Sequence, residues 1–137
     1  MSVDCFIDTN VLIYAATGTQ TDRTKRETAL ALLASANFGI STQVLQEFYV
    51  VATRKARIRM PPHLALEWME QLDGRPCAVV DPDLVKLAAA ISIRYQLSYW
   101  DGAILAAAEA LGAEVIYSED LQHNRKYRTV RVENPFH

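Results

Sequence analysis

The fold class this sequence predicts is an α/β domain, a parallel sheet with helices flanking it, and three observations carry the prediction. Short β-prone apolar runs alternate with longer segments of helical period, and the alternation leaves too little chain for hairpins. Half of the 137 positions are hydrophobic, enough for one proper core at a length that suits a single domain over residues 1–137. No internal repeat, linker or low-complexity segment interrupts the pattern.

The elements follow in order. A strand is expected over residues 3–7, stopping at Asp8-Thr9-Asn10 and passing into a short helix over 11–16. Gly18 and the polar residues up to Thr21 break the chain. Asp22 is placed to cap a helix to about residue 36, with Ala29, Leu30, Leu32 and Leu33 as apolar positions. Residues 38–40 predict a second strand. Ser41 or Thr42 caps the helix after it, which runs to about residue 56 on a stripe of Val44, Leu45, Phe48, Val51 and Ala52. Pro62 opens a helix carrying Leu64, Leu66, Trp68, Met69 and Leu72, which Asp73-Gly74 closes. Residues 78–80 predict a third strand, Asp81-Pro82 a helix to about 95, and residues 98–101 the start of a helix that Gly112 stops. Val115, Ile116 and Tyr117 form the fourth strand, Ser118-Glu119-Asp120 opens a helical turn, and residues 129–132 give a final short strand. The expected sheet has four to five strands.

A formal charge of -2 gives no overall basic field, so a nucleic-acid partner would have to be held locally. The opening residues form neither a basic n-region nor an apolar stretch of signal-peptide length, and no segment approaches membrane-spanning length. The expectation is a soluble cytoplasmic protein with no membrane contact. Cys5 and Cys77 lie among apolar neighbours, far apart, and are expected in the core.

In open parallel sheets, ligands bind outside the carboxyl ends of the strands, so acids placed just after strands come first. Asp8 directly follows the first strand and Asp120 follows the fourth within three residues. Each also starts a helix or turn, where an aspartate is an ordinary cap. Glu47 lies beside the buried stripe of its helix, between Val44 and Val51, and Asp101 shares a face with Ile104, Leu105 and Ala108. Ser98-x-x-Asp101 also resembles a capping arrangement. Two acids after strands and two on inward helix faces would all point to one end of one sheet. Like charges that close hold either protons or cations. Oxygen ligands without His or Cys select Mg²⁺ or Mn²⁺, which suits hydrolysis of a phosphodiester. No Gly-rich phosphate loop, G-x-S-x-G elbow or H-E-x-x-H is present, and His63, His123 and His137 are scattered. A phosphoaspartate mechanism at Asp8 would want a second acid where Asn10 stands.

The blocks Asp8-Thr-Asn-Val-Leu-Ile, Ser41-Thr-Gln-Val-Leu-Gln-Glu47-Phe, Tyr99-Trp-Asp101-Gly-Ala-Ile-Leu-Ala-Ala-Ala and Ser118-Glu-Asp120-Leu together resemble the PIN-domain ribonucleases, and more narrowly the VapC-type toxins of toxin–antitoxin pairs. The resemblance covers essentially the whole chain. It implies a single PIN-like domain, Mg²⁺- or Mn²⁺-dependent endoribonuclease activity, and a cognate antitoxin that blocks the site. By position, Asp8, Glu47 and Asp101 match the three defining acids and Asp120 the fourth, more variable one. Thr9 and Asn10 match the polar pair after the first acid, and Ser118 a hydroxyl that orients the Asp8 carboxylate. Gly102 stands where many members have alanine, which adds backbone freedom and removes no chemistry. Glu119 beside Asp120 leaves open which acid faces the metal, and the match favours Asp120.

Basic clusters at Arg23, Lys25 and Arg26, at Arg54, Lys55, Arg57 and Arg59, and at Arg125, Lys126 and Arg128 are more often solvated faces than sites. The second and third lie near Glu47 and Asp120, so Arg54, Lys55, Arg57, Arg125 and Lys126 are candidates to grip RNA phosphates. A tRNA or ribosomal RNA loop is the expected substrate class. Trp68 and Met69, on the helix after Pro62, are more often core than interface, yet that helix is one candidate surface for the antitoxin or for self-association as a homodimer. The competing readings are a non-catalytic module whose acidic cleft receives a basic peptide, and a DNA-directed nuclease using the same site.

Overall fold

The computed structural model describes residues 3–18, 22–55 and 59–137. Along the chain run β1 (Cys5–Ile7), α1 (Thr9–Thr17), α2 (Arg23–Ser35), β2 (Phe38–Ser41), α3 (Thr42–Val50), α4 (Pro62–Gln71), β3 (Cys77–Ala78), α5 (Pro82–Tyr95), α6 (Tyr99–Ala110), β4 (Val115–Tyr117), β5 (Lys126–Tyr127) and β6 (Val130–Glu133). The strands form one sheet in the order β3-β2-β1-β4-β6-β5. Every pairing is parallel except β5 with β6. Phe6 and Ile7 of β1 are fully buried, and Cys5 nearly so. A strand whose side chains alternate between faces is buried at every position only when both faces are covered. Burial lifts the pKa of the Cys5 thiol to about 11 and also raises that of Cys77, so both behave as apolar side chains, Cys77 only partly buried.

Capping decides where several helices begin. The Ser41 hydroxyl accepts from Val44 N at 3.2 Å, whereas the Thr42 hydroxyl accepts from Val80 N at 3.1 Å, so Ser41 caps α3 and Thr42 ties it to the chain after β3. Asp81 Oδ1 accepts from Leu84 N at 2.9 Å at the start of α5. Asp22 occupies the N-cap position of α2 but makes no capping bond, contrary to its expected role. Beyond Val50 the α3 chain continues as a π-helical turn, Val51–Lys55. α6 packs against β2, β3, β4 and β6, with α5 against α6, while α1 packs with α2 and α3. Gly102 makes the α5 contact possible, because a Cβ there would lie 2.5 Å from the Ala88 carbonyl oxygen and 3.2 Å from Ser92 Cβ. Close approach, not backbone freedom, is what this glycine supplies.

Three further expectations need correction. Residues 119–121 form bends, and 118–120 make no helical turn. The first strand begins at Cys5, although Val3 ahead of it is buried. The sheet has six strands because β5 and β6 form a hairpin around Arg128 and Thr129, with Arg128 in the left-handed region at φ 55. That turn carries none of the Asn-Gly or Asp-Gly chemistry that marks a hairpin in sequence. Among the described residues, no helix is long and apolar enough to cross a membrane.

Candidate active site

From β1 the sheet is extended one way by β2 and β3 and the other way by β4, β6 and β5, so the order of connection reverses between β1 and β4. At such a switch point the loops leaving adjacent strands part and open a crevice at their carboxyl ends. Ile7 pairs with Tyr117 at those ends, and the next residues are Asp8 and Ser118. The Ser118 hydroxyl donates to Asp8 Oδ2 at 2.7 Å and accepts from Asp120 N at 3.1 Å. Asp8 Oδ1 accepts from Thr9 N at 2.7 Å, so the carboxylate stands at the N-terminus of α1 as well as in the crevice. The cap reading and the site reading of Asp8 are compatible.

Neutral donors link the remaining acids. Thr9 Oγ1 donates to Glu47 Oε1 at 3.0 Å, tying α1 to α3. Asn10 Nδ2 lies 3.2 Å from Asp120 Oδ2 and 3.4 Å from both Asp8 Oδ2 and Ser118 Oγ, while Asn10 Oδ1 accepts from Glu119 N at 3.1 Å. On α6, Ser98 Oγ accepts from Asp101 N at 3.1 Å, so the hydroxyl caps the helix and the Asp101 carboxylate is left for the cleft. Asp8, Glu47, Asp101 and Asp120, with Thr9 and Asn10, line one cleft of about 390 Å³. Asp22 also lines it, a fifth acid that sequence reasoning assigned to capping alone.

Electrostatics follow from this crowding. Burial pushes the Asp8 pKa up to about 6, against the bonds from Ser118 and Thr9 that favour its charged form, while Asp120 and Glu47 push it higher. Burial, and then the charge of Asp120, also raises Asp101, against the pull of Ser98. Glu119 is drawn elsewhere: Lys25 Nζ meets its Oε2 at 2.6 Å and Tyr14 OH donates to its Oε1 at 2.8 Å. Asp120 therefore faces the cleft and Glu119 is held in an ion pair behind it. Lys25 was visible in the sequence only as one of a basic cluster and Tyr14 not at all, since their partner lies over ninety positions away and no local pattern links them.

The basic candidates divide. Lys55, at the end of the π-helical turn, lines the acid cleft. Arg54 is exposed and outside that lining. Arg57 lies outside the described residues. Lys126 lines a separate cleft with Gly112 and Arg131, at the amino end of β4 and so at the far end of the sheet from Asp8. The Arg125 guanidinium sits over the Tyr127 ring, 4.7 Å from its centre. His63, His123 and His137 do not line the acid cleft, and His123 Nδ1 accepts from Asn134 N at 2.9 Å.

A donor set of carboxylate, hydroxyl and amide oxygens suits a hard divalent cation. Among the described residues, no group of three or more Asp, Glu, His or Cys side chains is drawn together closely enough to hold a metal ion by itself.

The model of the PIN domain family matches residues 5–128. Among solved structures, the chain is similar to VapC20 of Mycobacterium tuberculosis, described as a toxin cleaving the sarcin–ricin loop, with a TM-score of 0.68, 21% identity, and coverage of 85% of this chain and 89% of that one. A toxin–antitoxin complex from Klebsiella pneumoniae matches with a TM-score of 0.68 at 21% identity, over 96% of this chain and 97% of that one. A DNA-bound VapBC from Salmonella typhimurium matches with a TM-score of 0.63 at 19% identity, over 97% and 98%. Comparison with curated protein sequences gives no match.

Proposed function

The chain belongs to the PIN domain family, and from that membership and its cleft we propose that it is an endoribonuclease using Mg²⁺ or Mn²⁺, the toxin of a toxin–antitoxin pair. The observation that carries this reading is the meeting of Asp8, Glu47, Asp101 and Asp120, from four separate segments, in one cleft at the switch point of the sheet. These four would hold the ion. When bound, it supplies charge neutralisation at the phosphate and a lower pKa for the attacking water.

The chain's own side chains do the rest. Ser118 and Thr9 N fix both oxygens of Asp8, so its carboxylate is aimed before substrate arrives. Thr9 and Asn10 separate the acids with neutral donors, which limits their mutual repulsion. Lys55, which lines the cleft, supplies positive charge for an incoming phosphate. The substrate class is a single-stranded loop of tRNA or ribosomal RNA, whose splayed bases a protein can read. A cognate antitoxin covering the acidic cleft is the expected inhibitor, and a second copy of the chain a further partner. Similarity to toxin–antitoxin complexes supports both the toxin and the antitoxin readings.

Purified protein incubated with RNA and Mn²⁺ tests the proposal. Water attack leaves 5′-phosphate and 3′-hydroxyl ends, and Asp101→Asn eliminates cleavage while keeping the circular dichroism of the wild type. A 2′,3′-cyclic phosphate product would sink the mechanism. Cleavage of DNA alone would move the substrate class, and the absence of both Mn²⁺ binding by calorimetry and cleavage would favour the non-catalytic module.

A further inference from the structure

Trp100 stands in water where its chemistry argues against it. An indole gains more than almost any side chain by leaving solvent, yet Trp100 is 63 % exposed at the start of α6, immediately before Asp101. Its position is fixed on two sides. The Tyr99 ring meets it edge-on with centres 4.9 Å apart, and Gln43 Nε2 donates to its carbonyl oxygen at 3.2 Å. The indole belongs to the wall between the acid cleft and a second one of about 360 Å³, walled by Trp100, Lys55 and the exposed Val50. Gln43 and Glu47 line both, so the two clefts are adjacent. Gln43 is itself only 5 % exposed, and its Oε1 has no partner among the described residues, a hydrogen bond still to be made at the back of the junction.

Charge narrows the choice of occupant. Among the described residues lining either cleft, Lys55 is the one cation, against five acids in the first. Phosphate contacts alone would hold a nucleic acid poorly here. Stacking on an aromatic face does not depend on charge and is open only to a base that is not already paired in a helix. We propose that the second cleft is a subsite for an unpaired nucleobase next to the scissile phosphate, with the Trp100 indole as its stacking platform and Lys55 against the intervening phosphate. The proposal rests on the nuclease reading of the acid cleft.

Anisotropy titration of labelled hexaadenylate and of a labelled abasic strand of equal length with the wild type, W100A and W100F, in EDTA at low salt and with tryptophan emission followed alongside, tests it. Both strands carry the same charge, and W100F leaves Trp68 as the sole indole, so it reports the Trp68 background. The wild type is expected to bind hexaadenylate about five- to a hundred-fold more tightly than the abasic strand, with quenching absent in W100F. W100A should lose that preference and W100F keep part of it. Equal affinity for the two strands, or a preference intact in W100A, overturns the proposal. So does a shift of W100A from dimer to monomer in sedimentation without any change in strand preference, which would make Trp100 a contact between copies. Cleavage with Mn²⁺ is followed in parallel: base preference without cleavage by the wild type supports the subsite and removes the nuclease reading, whereas cleavage without base preference does the reverse.

Discussion

Asp8 gathers more of the site's forces than any other residue. Its carboxyl is raised by burial from 3.8 to about 6, so the folded protein holds that proton more tightly than the unfolded chain does. Stability from this group is therefore fully present below pH 3.8 and is lost as pH rises through 6. Urea midpoints measured in EDTA should show it as a decline between pH 4 and 6, which Asp8→Asn flattens. Ser118→Ala removes the strongest pull toward the charged form, so the decline should continue to higher pH than in the wild type. Asp8 and Asp120 were legible because they follow strands, Glu47 and Asp101 because they sit beside apolar stripes where acids are unusual, and the cleft collects all four. Sequence reasoning passed over Gln43, Asp22 and Trp100, whose places follow from α3, α2 and α6 meeting across the sheet end and from nothing adjacent in the chain.

Among the elements, α5 and α6 make the closest contact that can be tested by one methyl group. Gly102→Ala sets a Cβ 2.5 Å from the Ala88 carbonyl oxygen, which is backbone and cannot swing away. The helices must separate, at a cost of about 1–3 kcal/mol. A lowered urea midpoint with unchanged slope is the expected result, and because Asp101 precedes the glycine, catalytic rate should fall too. Helix starts were legible from Ser41, Asp81 and Ser98, whose side chains make the capping bonds their positions imply. The π-helical turn was not, since the apolar stripe runs on through Val51 and Ala52 with no residue that marks a change of pitch. Nor was β5, two residues long and joined to β6 through Arg128 at positive φ.

For the whole molecule, the proposed metal-dependent function makes stability depend on a cation. A ligand that binds only the folded chain stabilises it by about 2.7 kcal/mol at a hundredfold excess over Kd. Mn²⁺ should thus raise the thermal midpoint of the wild type by several degrees, and Asp8→Ala should remove most of that gain in differential scanning fluorimetry. An equal shift in both proteins would locate the cation elsewhere. The parallel architecture was legible because alternating strands and helices leave few ways to connect, while the strand count was not, because the added hairpin is built from the shortest elements. Those short elements have an effect at the margins of the sheet. Its two outer strands, β3 and β5, are each two residues long, and the exposed Lys126 stands on one of them. So brief a rim offers little backbone for another chain to pair with, and the free protein should resist strand-by-strand aggregation when it is concentrated.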